Sequence, residues 1–220
     1  MKMEVKRILL VDDHPIMRHG LAQLIRAEGD LDVCGEAGNA AEGLALVGKT
    51  SPDLVVADLT LPDKHGLEFI KDVQSMHPGT LMLVLSMHDE SLYAERVLRA
   101  GARGYVMKET AADNLVHAAR RVLGGGIYLS DKMSSLMLEL MAGQRKPAQA
   151  SPLERLTDRE LEVLQLIGQG RATRHIAEKL HVSVRTVDAH RAHIKDKLLL
   201  PDGPALVRYA VRWMESQAEA

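Results

Sequence analysis

Along roughly the first 125 residues the chain alternates between two hydrophobic periods. Short apolar runs rich in Val, Ile and Leu fall at 8–11, 31–34, 54–57, 81–85 and 104–107. Each is the length of one strand and largely apolar, so each fits a strand buried on both faces. Between the runs, apolar residues recur at helical spacing. Leu21, Leu24 and Ile25 form one such set, Leu44 and Val47 the next, and Leu67, Ile70 and Val73 a third. Tyr93, Val97 and Leu98 form the fourth, and Leu115, Ala118, Ala119 and Val122 the fifth. Strands alternating with helices in this way predict an α/β doubly wound, five-stranded parallel sheet built from right-handed βα units. In an open parallel sheet a ligand sits outside the carboxyl ends of the strands, near the point where strand order reverses. The residues directly after each strand therefore carry the chemistry.

From Ser151 onward the strand pattern is gone. Helical spacing predicts four helices, at 157–167, 173–180, 183–198 and 203–214, and hence an all-α second domain. Residues 143–152, GQRKPAQASP, read as a flexible linker. Before them Met133, Leu136, Met137, Leu140 and Met141 lie at helical spacing and read as a packing helix. The expected domains are thus 6–125, a connecting helix and linker at 126–152, and 153–217.

Composition narrows the setting. Hydrophobic residues make up 46% and charged residues 26%, the balance of an ordinary globular chain. The apolar runs are far too short to cross a bilayer, and the start lacks a signal-peptide pattern. Those short runs predict no membrane partner, and Cys34 as the only cysteine fits a reduced, cytoplasmic compartment. The net charge of −2 hides an asymmetry: residues 1–143 carry 15 Lys and Arg against 20 Asp and Glu, whereas residues 144–220 carry 13 against 10. Between Arg171 and Lys197 there are seven basic and three acidic residues, a modest patch able to meet phosphates.

The strand ends carry Asp12 and Asp13, then Asp58, Ser86 and Lys108. Their convergence would bring three carboxylates, a hydroxyl and an ammonium around one crevice. Clustered carboxylates repel, and a hard divalent cation such as Mg2+ relieves the repulsion through oxygen ligands. A carboxylate can also act as a nucleophile and accept a phosphoryl group. Any one Asp after a strand is more often a helix cap than a site; the five residues as a set are not so explained.

LLVDDHP, DLTLPDKHG, LSMHD and GARGYVMK closely resemble a response-regulator receiver domain over 6–125. DDHP and LSMHD resemble the NarL/FixJ subfamily in particular. The resemblance implies a flavodoxin-like receiver fold with Asp58 as phosphoacceptor. It implies Mg2+ held by Asp13, Asp58 and the Thr60 carbonyl, with Asp12 acting through water. It makes Ser86 and Tyr105 a switch pair and Lys108 the phosphoryl-binding cation. Ser86 stands where Thr is commoner. Pro62 and Gly66 match the turn after the phosphoacceptor, while Lys64 and His65 are individual to this chain. His14 and His65 read as surface residues rather than ligands.

In the second domain, Thr157 followed by Glu160 predicts a capping box, with Asp158 favourable to the helix dipole. Two short helices joined at His181-Val182, at about 173–198, suit a helix-turn-helix, although periodicity alone fits any small helical bundle. LTDRELEVLQLIGQGRATRHIAEKLHVSVRTVDAHRAHIKDKL resembles the LuxR-type helix-turn-helix over 153–217. The resemblance implies double-stranded DNA as partner. Arg174, Arg185, Thr186, Asp188, Ala189, His190, Arg191 and Lys195 are the candidate DNA-facing residues. Asp188 stands where Lys is common; an acid there cannot bind phosphate but can accept from a cytosine amine. Ala189 and Ala192 suit thymine methyls. Asp158 stands where Pro is usual, and Ala172, Thr173 and His175 also depart from the pattern.

The expected function is a transcriptional response regulator, not an enzyme, phosphorylated on Asp58 by a sensor histidine kinase. Phosphorylation would control homodimerisation and DNA binding, with RNA polymerase a candidate further partner. The alternatives are a phosphorylation-independent regulator with a relic receiver and a Mg2+-dependent phosphotransferase. Against the latter, Thr60 occupies the position where such enzymes often place a second acid.

Overall fold

The computed structural model describes residues 5–142 and 152–218. It divides into two compact units, residues 1–138 and 139–220. The first carries β1 (Lys6–Val11), α1 (Pro15–Arg26), β2 (Leu31–Ala37), α2 (Ala40–Thr50), β3 (Leu54–Ala57), α3 (Gly66–Met76), β4 (Leu81–Ser86), α4 (Glu90–Ala100), β5 (Tyr105–Met107) and α5 (Ala111–Leu123). Helix α6 (Asp131–Met141) follows.

The five strands are all parallel, in the order β2-β1-β3-β4-β5. Strand order reverses at β1 and β3, so the crevice lies beyond Val11 and Ala57. Residues 8–11 of β1, all of β3, and the residues of β4 beyond half-buried Leu81 are buried, as their apolar runs require. Ile8, Leu10, Leu54, Val56, Leu83, Leu85 and Val106 pack with α1 and α5. Burying each such side chain is worth about 1.5–3 kcal/mol.

Two features differ from the sequence pattern. Strand β2 continues past Cys34 to Ala37 because Glu36 and Ala37 pair with Leu10 and Val11, although Gly35 and Glu36 carry no strand signal of their own. The outer edge of β5 is also covered: the Tyr105 amide donates to the Tyr128 carbonyl at 2.9 Å, and the Tyr128 amide to Arg103 at 3.0 Å. A single bridge of this kind blunts an otherwise open sheet edge. Of the methionine-rich stripe on α6, Met133 is buried and Leu136 and Met137 are half-buried. The expected linker lies outside the described residues except for Pro152, which opens a 3-10 turn, Pro152–Arg155.

The second unit is helical: α7 (Asp158–Gly168), α8 (Thr173–Lys179), α9 (Val184–Leu198) and α10 (Gly203–Ala218). Its core is Leu161, Val163, Leu164, Ile167, Ile176, Val187, Ile194, Leu206 and Ala210. Helices α7 and α10 meet closely at Gly168, where a Cβ would come within 2.4 Å of Met214 Cγ and 2.6 Å of the Ala210 carbonyl oxygen.

Candidate functional site

The turn after β1 is shaped by its own acids. Asp12 Oδ1 accepts from the His14 amide at 2.7 Å, and Pro15 then opens α1, where a missing N–H costs nothing. Arg18, one turn into α1, donates to the Asp12 carbonyl. The turn after β3 is held by Gly66, whose absent Cβ leaves room for Leu59 Cα and the Asp58 carbonyl oxygen; a Cβ there would lie 2.5 and 2.6 Å from them. Asp63 reaches from the same turn to cap α2, accepting from the Ala40 and Ala41 amides at 2.9 Å each.

These turns bring the strand-end residues together. Lys108 Nζ stands 2.7 Å from Asp12 Oδ2 and 2.8 Å from Asp58 Oδ2, and all three side chains are at most 4% exposed. Burial raises the Asp58 carboxyl above the ordinary carboxylate value, and Lys108 only partly offsets it. Burial pulls the Lys108 ammonium down, but Asp58 and Asp12 outweigh it and hold it above the usual lysine value. One buried ammonium therefore does not neutralise this crevice.

A divalent cation fits the remaining deficit. Ligand atoms of Asp12, Asp13, His14 and Asp58 lie within 4.8 Å of one another. Asp12 Oδ2 and Asp13 Oδ1 are buried oxygens without a hydrogen bond of proper geometry. Their nearest cationic neighbours are Lys108 Nζ and His14 Nδ1, both at 2.7 Å. His14 is 65% exposed, as expected of a surface residue, yet it leans on the acidic cluster.

Ser86 is completely buried at the end of β4, and its hydroxyl oxygen accepts from the His88 amide at 3.3 Å. Tyr105, 1% exposed on β5, donates its hydroxyl to the His88 carbonyl at 2.7 Å. Burial raises the Tyr105 phenol well above its ordinary value, so it stays a donor. The His88 ring stacks on Tyr93 at 5.1 Å and meets Thr60 Oγ1 through Nε2 at 3.0 Å. Desolvation, aided by His65 and Lys108, pushes the His88 imidazole down to about 4. His65 is half-buried, not simply a surface residue: its Nδ1 accepts from the Leu67 amide to cap α3, and its ring stacks on Tyr93 at 6.4 Å. His88 lies inside the LSMHD motif, but the resemblance assigned a role only to its neighbour Ser86.

In the second unit the expected capping box is formed. The Glu160 amide donates to Thr157 Oγ1 at 3.3 Å, and the Thr157 amide to Glu160 Oε2 at 2.7 Å. Lys197 of α9 reaches the same carboxylate at 2.6 Å. Burial disfavours the charged Glu160, but Lys197 and Thr157 outweigh it and keep the carboxyl below its usual value. Arg159 donates to the Leu180 carbonyl at 2.6 Å, fixing α8 against α7. His181, at φ +52°, makes the turn into α9, and Ser183 Oγ caps α9 by accepting from the Thr186 amide at 3.0 Å.

With Val187 and Ile194 buried, α9 turns Arg185, Asp188, Ala189 and Ala192 to the exposed side. Thr186, His190, Arg191 and Lys195 are half-buried. Arg174 is exposed on α8 and pairs with Glu178 at 3.4 Å. An exposed helix face preceded by a short helix and a tight turn is the geometry that enters a DNA major groove.

Comparison with known proteins agrees with both halves. Residues 8–120 match the response regulator receiver domain, and residues 154–210 match the bacterial regulatory proteins, luxR family. The chain belongs to the two-component response regulators that join a receiver domain to a LuxR-type DNA-binding domain. It is 37% identical over 210 residues to the oxygen regulatory protein NreC of Staphylococcus carnosus, covering 94% of this chain and 97% of that one. A LuxR-family two-component response regulator from Aurantimonas sp. SI85-9A1 is 36% identical, with a TM-score of 0.59 over 63% of this chain and 99% of that chain. RcsB of Salmonella enterica serovar Typhimurium was solved bound to the promoter P1flhDC in the presence of the phosphomimetic BeF3−. It is 25% identical, with a TM-score of 0.71 over 93% of this chain and 98% of that chain. Among the described residues no helix is long and apolar enough to cross a membrane.

Proposed function

We propose that the chain is a cytoplasmic transcription factor whose DNA binding is switched by phosphorylation of Asp58. The observation that carries this reading is Lys108 Nζ bridging Asp12 Oδ2 and Asp58 Oδ2 at 2.7 and 2.8 Å in a buried, under-neutralised acidic crevice. The proposed domains are a receiver at 6–125, a connector at 126–152 and a DNA-binding domain at 153–217.

The donor is the phosphohistidine of a sensor kinase. An Asp58 carboxylate oxygen attacks phosphorus, the phosphorus–nitrogen bond breaks, and the imidazole leaves with a proton from solvent. Asp13, Asp58 and the Thr60 carbonyl, with Asp12 through water, would hold Mg2+, which supplies charge neutralisation to the phosphoryl oxygens. Lys108 exchanges its contact with the Asp58 carboxylate for a phosphoryl oxygen. The Ser86 hydroxyl, now an acceptor from the His88 amide, turns to donate to another. Tyr105 follows, and the α4–β5 face changes shape. The shift favours a homodimer that binds paired half-sites and engages RNA polymerase. Its extent is limited by how much better the phosphoryl group fits one state than the other. Arg174, Arg185, Arg191 and Lys195 position the protein on phosphates. Thr186, Asp188, Ala189 and His190 complete the contacting face.

Incubation with acetyl phosphate and Mg2+ tests this reading. The expected result is an acyl phosphate on Asp58 by mass spectrometry, with tighter DNA binding and dimer formation, all abolished in Asp58→Asn. Unchanged DNA affinity and oligomeric state on phosphorylation would mark the receiver as a relic. Rapid turnover of phosphate esters would mark an enzyme.

A further inference from the structure

We propose that Asp188 is a specificity-determining residue of α9 that selects a cytosine in each DNA half-site. The proposal rests on α9 entering the major groove, as described above. Asp188 lies in the N-terminal half of α9, one turn after Arg185 and one turn before Ala192, on the exposed side. Several acids of this unit are engaged, although among the described residues the Asp196 side chain near the end of α9 is not. Glu160 holds Lys197, Glu162 holds Arg159 at 2.7 Å, and Glu178 holds Arg174. Asp188 has no side-chain hydrogen bond or ion pair among the described residues.

An unpaired carboxylate in this place has a defined chemical demand. It only accepts hydrogen bonds, so phosphate oxygens and the acceptor edges of guanine and thymine repel it. The donors available in the major groove are the cytosine N4 and adenine N6 amino groups. Adenine sets its N7 acceptor beside N6, so a carboxylate that reaches the amine also meets a lone pair. Cytosine offers its amine without an adjacent acceptor, and it is the better partner. Ala189 and Ala192 beside Asp188 are too small to hold the helix away from the base edges and carry no charge to compensate the acid internally. Arg185, one turn before, and Lys195, two turns after on the same helix, offset the repulsion from the backbone through the phosphates.

The test is selection from a randomised double-stranded oligonucleotide library by the full-length, phosphorylated protein and by two variants. The wild type is expected to enrich a C·G pair at one position of each half-site, with a loss of roughly 5- to 150-fold on changing it. Asp188→Ala is expected to relax that position alone. Asp188→Asn, close in shape, is expected to move the preference there toward adenine, because an amide can pair with both N6 and N7. Equal preference profiles in all three proteins overturn the proposal. So does an Asp188→Ala variant that binds every sequence more tightly by one common factor, which would make the acid a repellent and not a reader. A wild type that enriches no sequence at all defeats the DNA-binding reading itself, a result distinct from either.

Discussion

Replacing Lys108 with methionine removes the ammonium that stands 2.7 Å from Asp12 Oδ2 and 2.8 Å from Asp58 Oδ2 while leaving a flexible apolar stem. The two carboxylates, each at most 4% exposed, lose their shared cation. Breaking a buried pair from one side costs about 3–5 kcal/mol. The same figure follows from proton linkage. Keeping one carboxyl neutral near pH 7, from an ordinary unfolded value of about 3.9, costs about 1.4 kcal/mol per pH unit, or roughly 4 kcal/mol. Asp58 already titrates above its ordinary value in the wild type, and losing Lys108 moves it further in that direction. An acid whose folded value is raised binds more protons folded than unfolded, so stability falls as pH rises between the two values. The deficit of Lys108→Met is therefore expected to be small near pH 4 and to grow toward neutrality.

Urea unfolding at several pH values, followed by far-ultraviolet circular dichroism, measures this deficit. Trp213, the sole tryptophan, lies in the second unit and reports a separate transition that is expected not to move. Millimolar Mg2+ is expected to narrow the deficit, because a divalent cation supplies the missing positive charge. A deficit under about 1 kcal/mol near pH 7, or one equal at pH 5 and pH 7, would refute the assignment of Lys108 as the crevice's neutralising charge.

Other outcomes follow from single contacts. Asp63→Ala removes two amide acceptors from the start of α2 and is expected to cost about 1 kcal/mol in urea unfolding, the usual worth of a cap. Because Asp63 titrates below its ordinary value, that contribution is present above about pH 4 and lost as pH falls through the depressed folded value. Gly66→Ala, with a Cβ 2.5 Å from Leu59 Cα, is expected to displace the turn after β3 and abolish labelling of Asp58 by acetyl phosphate, read by mass spectrometry. Glu160→Gln leaves Lys197 without its carboxylate and is expected to lower the Trp213 fluorescence midpoint by the equivalent of about 1–3 kcal/mol, with the receiver transition unchanged.

The sheet was legible because its signal is local. The central strands carry short apolar runs, and the acids of the crevice directly follow two of them, as with Val11 before Asp12 and Ala57 before Asp58. The capping box at Thr157 and Glu160 was legible for the same reason: both partners lie within one helical turn. What escaped the sequence joins residues far apart in the chain. The Tyr128 bridge to β5 is too short to carry a period. The Asp63 cap of α2 spans 23 residues, and the acceptance of the Ser130 amide by Glu90 at 2.9 Å spans 40. His88 touches residues on either side of it in sequence, so neither spacing nor periodicity singles it out.

These long contacts are unevenly spread around Asp58, and the unevenness bears on where a change at that residue can travel. On the α2 and α3 side the turn is fixed by backbone packing at Gly66, by two amide bonds to Asp63 and by the Lys64–Asp72 ion pair at 2.5 Å. On the α4 and β5 side the hydrogen-bonded links run through His88: its amide to Ser86, its carbonyl to Tyr105 and its ring to Thr60. Close-packed backbone yields little, whereas hydrogen bonds centred on one residue can be exchanged together. If Ser86 turns toward a phosphoryl group, it stops accepting from His88, and the residue that also holds Tyr105 is freed in the same step. Helix α4, tied to Ser130 at the entrance to α6 by Glu90, lies directly in that path. On the proposed switch, displacement from Asp58 would therefore run toward α6, the helix that follows the receiver sheet.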